Sequence, residues 1–454
     1  MSNLGFHSLF HRVAAFRGIR TARFFIERGS ELFSPEVFLP EKRGIFRAAP
    51  PTLKSFDIIL FTVAFELDYV NVVRMLKLSS IPPISSRRNG KYPLVITGGI
   101  APSANPLPLS VFSDLVCVGD MEGLLEGILE VLFTHDFRKS NEALGEVEKF
   151  NGVYRTGGGA PTRWIKKDIT FPAHTVILTH KTEFQDMFLI EVVRGCRQNC
   201  TFCMTRCVTR PVRTVKSELI TKTVKMVVSH TKKVGLIAPV LSDHPDLIEI
   251  VKKINALGFI VSFSSLRADA FTEEIAGLLK ANGQNSVTFA PETGSFALRR
   301  QIGKNITDED LFHAVSLAVK NGIKKLRYYI MYGLPGETPD DIRNIATISK
   351  KTMDLISQAG CTLYLSVNPF VPKKGTALEG ESIYPLDYYR EMQHLLKNEL
   401  GGIPHLSVKF ESIRFLYMHY RLSIGAEDTG YLLDECVSKG SMRPFHQLEI
   451  RDRQ

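Results

Sequence analysis

The sequence predicts an α/β protein made of two successive parallel units: a small doubly wound domain, then a partial barrel of six strand–helix repeats, (β/α)6, with a C-terminal extension. Three observations predict this. Strand-length runs of β-branched and aromatic residues alternate with helix-length periodic segments along most of the 454 residues, the pattern of parallel sheets covered by helices. The alternation breaks once, at Tyr154-Arg-Thr-Gly-Gly-Gly-Ala-Pro-Thr162, where glycines and a proline mark a linker. Four of the seven cysteines, Cys196, Cys200, Cys203 and Cys207, cluster directly after the first strand of the longer series.

In the first series, Phe56–Phe61, Leu94–Thr97 and Leu115–Val118 read as buried strands, with helices over Val70–Leu78 and Glu122–Leu132. This domain is expected over residues 1–150, with a linker over 151–184. Its first segment carries Arg12, Arg17, Arg20 and Arg23 and no acidic residue before Glu27. Such a bias fits an organelle transit peptide; the preferred reading is a basic helix and strand packed on the domain of a cytoplasmic protein. The longest apolar run, Ile58–Phe65, is far short of the ~18 residues of a membrane helix.

The second series places strands at Phe188–Val193, Val234–Ala238, Phe259–Ser264, Ser286–Ala290, Leu326–Met331 and Thr362–Val367. Helices fall near 216–230, 246–256, 272–282, 308–321, 339–358 and 386–400. Such repeats close or partly close into a barrel whose site lies at the C-terminal strand ends, here over 185–405. The remainder, 406–454, reads as an extension or cover, with Arg443, Arg451 and Arg453 near its end.

Composition is that of a folded chain: 44% hydrophobic and 23% charged residues, with 33 Gly and 23 Pro. It excludes collagen-like, coiled-coil and disordered classes. The net charge of +10 leaves acidic partners open. Its basic residues are spread in small groups such as Arg87-Arg88 and Lys324-Lys325, not in the stripe with interleaved aromatics of a nucleic-acid binder. Scattered cysteines with one cluster point to a metal site in a reducing compartment.

Cys196-Arg-Gln-Asn-Cys200-Thr-Phe-Cys203 has the spacing Cys-x3-Cys-x2-Cys. Three thiolates on one loop can each hold one iron of a [4Fe–4S] cube, leaving a fourth iron open, and an open position makes a metal centre catalytic. Gly195 permits the sharp exit from the strand. The competing reading is a four-thiolate zinc knuckle that includes Cys207, but the two spacings of three, Cys196 to Cys200 and Cys203 to Cys207, exceed the usual Cys-x2-Cys pairs.

The spacing, with Phe202 before the third cysteine, resembles the signature of the radical S-adenosylmethionine (SAM) superfamily. The resemblance implies that Cys196, Cys200 and Cys203 bind a [4Fe–4S] cluster whose open iron chelates SAM. Reductive cleavage would give a 5′-deoxyadenosyl radical, with the electron from an external flavodoxin- or ferredoxin-type reductant. Ala290-Pro-Glu-Thr-Gly-Ser295 resembles the ribose-contacting strand end, which makes Glu292 the candidate there; an N-cap role for the helix near Phe296 is the alternative. Tyr332-Gly-Leu-Pro-Gly-Glu337 resembles the turn beside adenine, with Gly333 and Gly336 allowing close backbone approach. Arg267, Arg299 or Arg300 are candidates for a SAM carboxylate or an anionic substrate, although for each one alone a solvated or ion-paired arginine is the preferred reading. His244, a lone loop histidine, reads as a local capping group.

Further stretches resemble the branch of that superfamily with an N-terminal cobalamin-binding-like, Rossmann-like domain and largely unassigned function. They include Phe65-Glu-Leu-Asp-Tyr69, Thr97–Pro106, Val118-Gly-Asp-Met-Glu122, Arg210-Pro-Val-Arg213, Ser242-Asp-His-Pro245, Ser264–Asp269 and Asn368-Pro-Phe-Val-Pro-Lys373. The Asp-x-His-x-x-Gly pattern of a base-off corrinoid is absent. Cobalamin held by backbone contacts from Gly98, Gly99 and the Gly119 turn is one reading; a retained fold without the cofactor is the other. The expected activity is radical chemistry on an unidentified substrate, or methyl transfer if a corrinoid binds, with nucleic acid expected only as a substrate. A zinc- or nucleic-acid-binding module is the non-enzymatic rival.

Overall fold

A computed structural model describes residues 3–26, 32–34, 52–135, 142–441 and 444–445. The chain divides into two compact units. One joins Leu9–Lys167 to Lys373–Gly375 and Tyr417–Gln454; the other holds Met1–Ser8, Asp168–Pro372 and Thr376–Leu416. No helix among the described residues is long and apolar enough to cross a membrane.

The first unit is built on strands β1 (Ile58–Thr62), β2 (Leu94–Gly98), β3 (Leu115–Cys117) and β4 (Val153–Tyr154), ordered β1-β2-β3-β4. The first three are parallel and keep their chain order; β4 runs antiparallel to β3. Among the described residues the order has no reversal of the kind that opens a ligand crevice in a doubly wound sheet. Helices α2 (Tyr69–Leu78) and α3 (Leu124–Thr134) each bury an apolar face, Val70, Val73 and Leu76 in α2 and Leu125, Ile128, Leu129 and Leu132 in α3. Each such side chain contributes about 1.5–3 kcal/mol on burial. The basic N-terminal segment forms α1 (Leu4–Ala14) and the two-residue strand Phe25–Ile26. From α1, Leu9 and Val13 pack on Leu125 and Leu129 of α3, and Arg12 pairs with Glu126 at 2.8 Å.

Residues 151–167 belong to this unit, although the glycine run reads as a linker. The reason is Trp164, whose main chain bonds Val118 and Asp120 and whose ring nitrogen donates to the Glu122 carbonyl at 2.9 Å.

The second unit carries β5 (Met187–Glu191), β6 (Lys233–Ile237), β7 (Ile260–Phe263), β8 (Ser286–Glu292), β9 (Lys325–Tyr332), β10 (Thr362–Pro369) and β11 (Leu406–Phe410). They form two parallel sheets, β7-β6-β5 and β8-β9-β10-β11. Helices α4 (Ser217–Lys225), α5 (Leu247–Ala256), α6 (Glu273–Ala281), α7 (Asp308–Lys320), α8 (Pro339–Ile356) and α9 (Leu386–Leu400) alternate with the strands. Thr307 and Thr338 cap α7 and α8 reciprocally with Asp310 and Asp341, a Thr-x-x-Asp variant of the capping box. Along β9, Leu326, Tyr328, Ile330 and Tyr332 are buried and alternate with exposed or partly exposed residues.

Two features of the expected extension over 406–454 differ. Leu406–Phe410 is a seventh parallel strand, paired with β10 from Leu363↔Leu406 to Val367↔Phe410. Its Leu-Ser-Val-Lys-Phe alternation is too short to stand out without its neighbour. The following residues do not extend this unit: helix α11 (Glu427–Lys439), after α10 (Leu416–Ile424), belongs to the first unit. Gly430 there lets the helix approach the Pro108 carbonyl, which would lie 2.3 Å from an added Cβ, and Lys77 pairs with Asp434 at 2.8 Å. Arg443, Arg451 and Arg453 lie outside the described residues.

Candidate metal centre

The cysteine loop leaves the two-residue ladder Val193–Arg194, which pairs antiparallel with Arg213–Thr214 and closes the loop at its base. Gly195 has φ +90°, and a Cβ there would lie 2.8 Å from the Thr209 carbonyl oxygen, so only glycine makes this exit without strain. The Thr201 amide donates to Ile302 O at 2.9 Å and that of Cys203 to Cys200 O at 3.3 Å. Gly303 supports the loop: its missing Cβ would sit 2.2 Å from Asn199 O and 3.4 Å from the Cys200 Cα. Phe202 packs against an apolar group of Leu298, Ile302, Leu334 and Phe370, which ties the loop to the ends of β9 and β10.

All seven cysteines are free thiols. Cys196 and Cys200 are buried and Cys203 partly so. Burial raises the first two thiols above their ordinary range, while Lys304 and Arg267 oppose this at Cys200, and the Gln198 amide and Arg267 at Cys196. Among the described residues no three His, Cys, Asp or Glu side chains converge on one ion. The fit to a cluster rests on the donor set, three thiols on one tied loop, each able to bind a separate iron.

Glu292 ends β8 with φ +69°, beyond a register shift against β9. A glutamate in the left-handed region costs about 1–3 kcal/mol and persists only where the surrounding structure fixes it. Its Oε1 accepts from Lys304 Nζ at 2.5 Å, and both side chains are largely buried. The pair acts electrostatically on Cys200. Glu292 is not the cap of the next helix; Ser295 is, accepting from the Leu298 amide. Lys304 carries no spacing signal in the sequence, because its relation to Glu292 arises only when the intervening helix folds back.

Gly333 and Gly336 occupy the turn after β9, both with positive φ. Gly333 is pressed by Tyr389, whose hydroxyl would lie 2.7 Å from an added Cβ, and its amide donates to Glu337 Oε1 at 2.7 Å. Tyr388 donates to the same oxygen at 2.7 Å. Burial drives the Glu337 carboxyl up to about 7 despite these hydrogen bonds, and its second oxygen is buried without a hydrogen-bond partner among the described residues.

Arg267 is held by Asp269 through two bonds of 2.9 and 2.6 Å and interacts electrostatically with Cys196 and Cys200. Arg299 is fully buried, bonded to Asp308 and to the Ile306 and Gly294 carbonyls. Of its two readings the ion-paired one holds: its side chain is consumed inside the fold and does not serve as a SAM contact. Arg300 is exposed. His244 caps as expected, bonding Val215 O at 2.9 Å through Nε2 and accepting the Asp246 amide at Nδ1.

Gly98 and Gly99 lie in the first unit. Gly98 packs on Cys117, and the Cβ that Gly99 lacks would lie 2.3 Å from Val63 O. At Gly119 the Trp164 carbonyl takes the equivalent space, 2.0 Å away. The chain itself fills the room beside Gly99 and Gly119, so packing of β1, β2 and the Trp164 segment explains them and they offer no open cradle to a corrin.

Comparison with known proteins follows the same division. The profile of radical SAM proteins, N-terminal, matches residues 47–155, and that of the radical SAM superfamily matches 190–348. An uncharacterized protein of Methanocaldococcus jannaschii is 29% identical over 391 residues, covering 84% of this chain and 81% of its own. An uncharacterized methyltransferase of Pyrococcus horikoshii is 26% identical over 224 residues, 47% of this chain and 48% of that protein. Among solved structures, the radical SAM methyltransferase TsrM from Kitasatospora setae, with cobalamin and a [4Fe-4S] cluster bound, aligns with a TM-score of 0.48. It is 15% identical, over 68% of this chain and 64% of that one.

Proposed function

Because the chain belongs to the radical SAM superfamily, we propose that Cys196, Cys200 and Cys203 hold a [4Fe–4S] cluster at which SAM is cleaved reductively to act on a substrate. The observation that supports this most is the three-thiol loop closed on Gly303, with the strained Glu292 and its Lys304 partner acting on Cys200. Such a cluster supplies the electron that breaks the sulfonium bond, yielding methionine and a 5′-deoxyadenosyl radical. The chain's own residues bind and orient. Glu292 is the acceptor for ribose hydroxyls, fixed by its unusual backbone and by Lys304. The Gly333–Gly336 turn brings main chain close to the nucleotide, and Phe202 with Leu298, Leu334 and Phe370 forms an apolar support on one side of the loop.

Anaerobic reconstitution tests this. The expected protein is brown, holds about four irons per chain as a [4Fe–4S] cube needs, and releases 5′-deoxyadenosine from SAM on reduction. Cys196→Ala, Cys200→Ala and Cys203→Ala each abolish the release. A colourless protein with one zinc would overturn the reading.

A second reading, methyl transfer, is supported by the relative described as a methyltransferase. It predicts a methylated product with S-adenosylhomocysteine. Extraction of cobalamin from protein made with corrinoid supplied tests whether the first unit contributes a methyl carrier.

A further inference from the structure

Two guanidiniums meet on the cysteine loop without a countercharge. Arg206 and Arg210 each donate through Nη2 to the same oxygen, Asn199 Oδ1, both at 3.2 Å. Asn199 is the residue immediately before Cys200. Neither arginine has a carboxylate within salt-bridge distance among the described residues, nor does Arg197 on the same loop, which is exposed along with Asn199 and Arg210. Arg206 Nε is buried and makes no hydrogen bond among the described residues. Like charges sharing one neutral acceptor repel, and a buried donor left unpaired costs about 1–3 kcal/mol. An incoming carboxylate on the exposed Arg210 or the partly exposed Arg206 relieves the repulsion, since guanidinium binds it with charge-assisted hydrogen bonds.

Resting on the function proposed above, we infer that Arg197, Arg206 and Arg210 form the docking surface for an acidic one-electron carrier protein. A carboxylate seated on Arg206 or Arg210 is one side chain and one peptide from Cys200, so the carrier is brought to a thiolate of the metal centre. The step balances simply: the reduced carrier loses one electron, the centre gains it, and no bond or proton moves. A nucleic acid is the weaker fit. Six to ten phosphate contacts of a typical binder need an extended basic track, and this group is compact and placed at the cysteine loop.

The test is stopped-flow reduction of the reconstituted protein by reduced flavodoxin, followed by bleaching of the cluster absorbance at several salt concentrations. The Arg206→Glu/Arg210→Glu variant is expected to react on the order of tenfold or more slowly and to lose the salt dependence of steered association. Arg206→Lys/Arg210→Lys is expected to keep most of the rate. Reduced methyl viologen, a small cation, is expected to reduce all three proteins within about twofold of each other, a difference of less than half a kcal/mol. An unchanged flavodoxin rate, or equal slowing with viologen, overturns the inference. So does salt-dependent binding of an RNA oligonucleotide that charge reversal abolishes while flavodoxin is unaffected. A wild-type protein that takes up no cluster overturns the proposed function itself, which separates the two failures.

Discussion

Lys304 Nζ lies 2.5 Å from Glu292 Oε1, joining a lysine in the turn after a short helix to a strained strand-end carboxylate. With both side chains largely buried, removing one partner strands the other's charge, at a cost of about 3–5 kcal/mol. Lys304→Met is therefore expected to destabilise the protein more than Lys304→Met with Glu292→Gln, and a urea double-mutant cycle measures the difference. Equal or additive losses would show that the pair is not coupled.

A second ion pair lies within the first unit. Lys373 Nζ is 2.9 Å from Glu66 Oε2, and it also bonds His419 Nε2 at 2.7 Å and Ser423 Oγ at 3.1 Å. Burial alone would raise Glu66, but the neighbouring His419 and the Lys373 charge hold it down at about 2. Burial pulls Lys373 below the ordinary lysine range although Glu66 opposes this; the ion pair, with Glu66 held charged, is the better-supported state because its geometry is direct. A depressed carboxylate contributes stability that is full above its unfolded value of 4.5 and is lost as pH falls towards 2. Roughly 3 kcal/mol should disappear across that window. Glu66→Gln is expected to flatten the acid limb of the stability curve.

Glu337 works in the opposite sense. Raised to about 7 from 4.5, it binds its proton more tightly in the folded state. Its contribution is full below 4.5 and is lost as pH rises through 7. Denaturant unfolding between pH 4.5 and 8 should show about 3 kcal/mol of this decline in the wild type and much less in Glu337→Gln, whose amide can still accept from the Gly333 amide. Identical profiles would refute the assignment.

Gly303 sets the position of the cysteine loop. With φ +72° and the Asn199 carbonyl where a Cβ would go, Gly303→Ala has no unstrained conformation. The backbone strain costs about 1 kcal/mol or more before the collision is counted. The expected result is folded protein with sharply reduced iron and sulfide content; a full complement of iron would show that the loop tolerates displacement.

Much of this site was legible in the chain. The Cys196–Cys203 spacing and Gly195 are local features whose chemistry follows from residue type, and Glu292 enters as a candidate through the resemblance of its strand end to a ribose-contacting one. Lys304, Glu337 with Tyr388, and the convergence of Arg206 and Arg210 on Asn199 were not legible. Each depends on side chains brought together by a turn or a helix, and no spacing rule encodes those distances. For the same reason only the fold separates the two readings of Arg299, since an arginine beside a candidate site and one buried under it are identical in sequence.

By itself the sequence determined the alternation of strands and helices, the thiol loop and its place after the first strand of the longer series. Periodicity, capping residues and cysteine spacing act over a few residues and survive without the fold. Only the tertiary structure decided that Leu406–Phe410 completes a sheet, that the chain after residue 416 returns to the first unit, and that Gly99 and Gly119 are filled by their own neighbours. Those outcomes depend on parallel pairing and close packing between segments far apart in the chain, where the deciding quantity is which surface is left to bury.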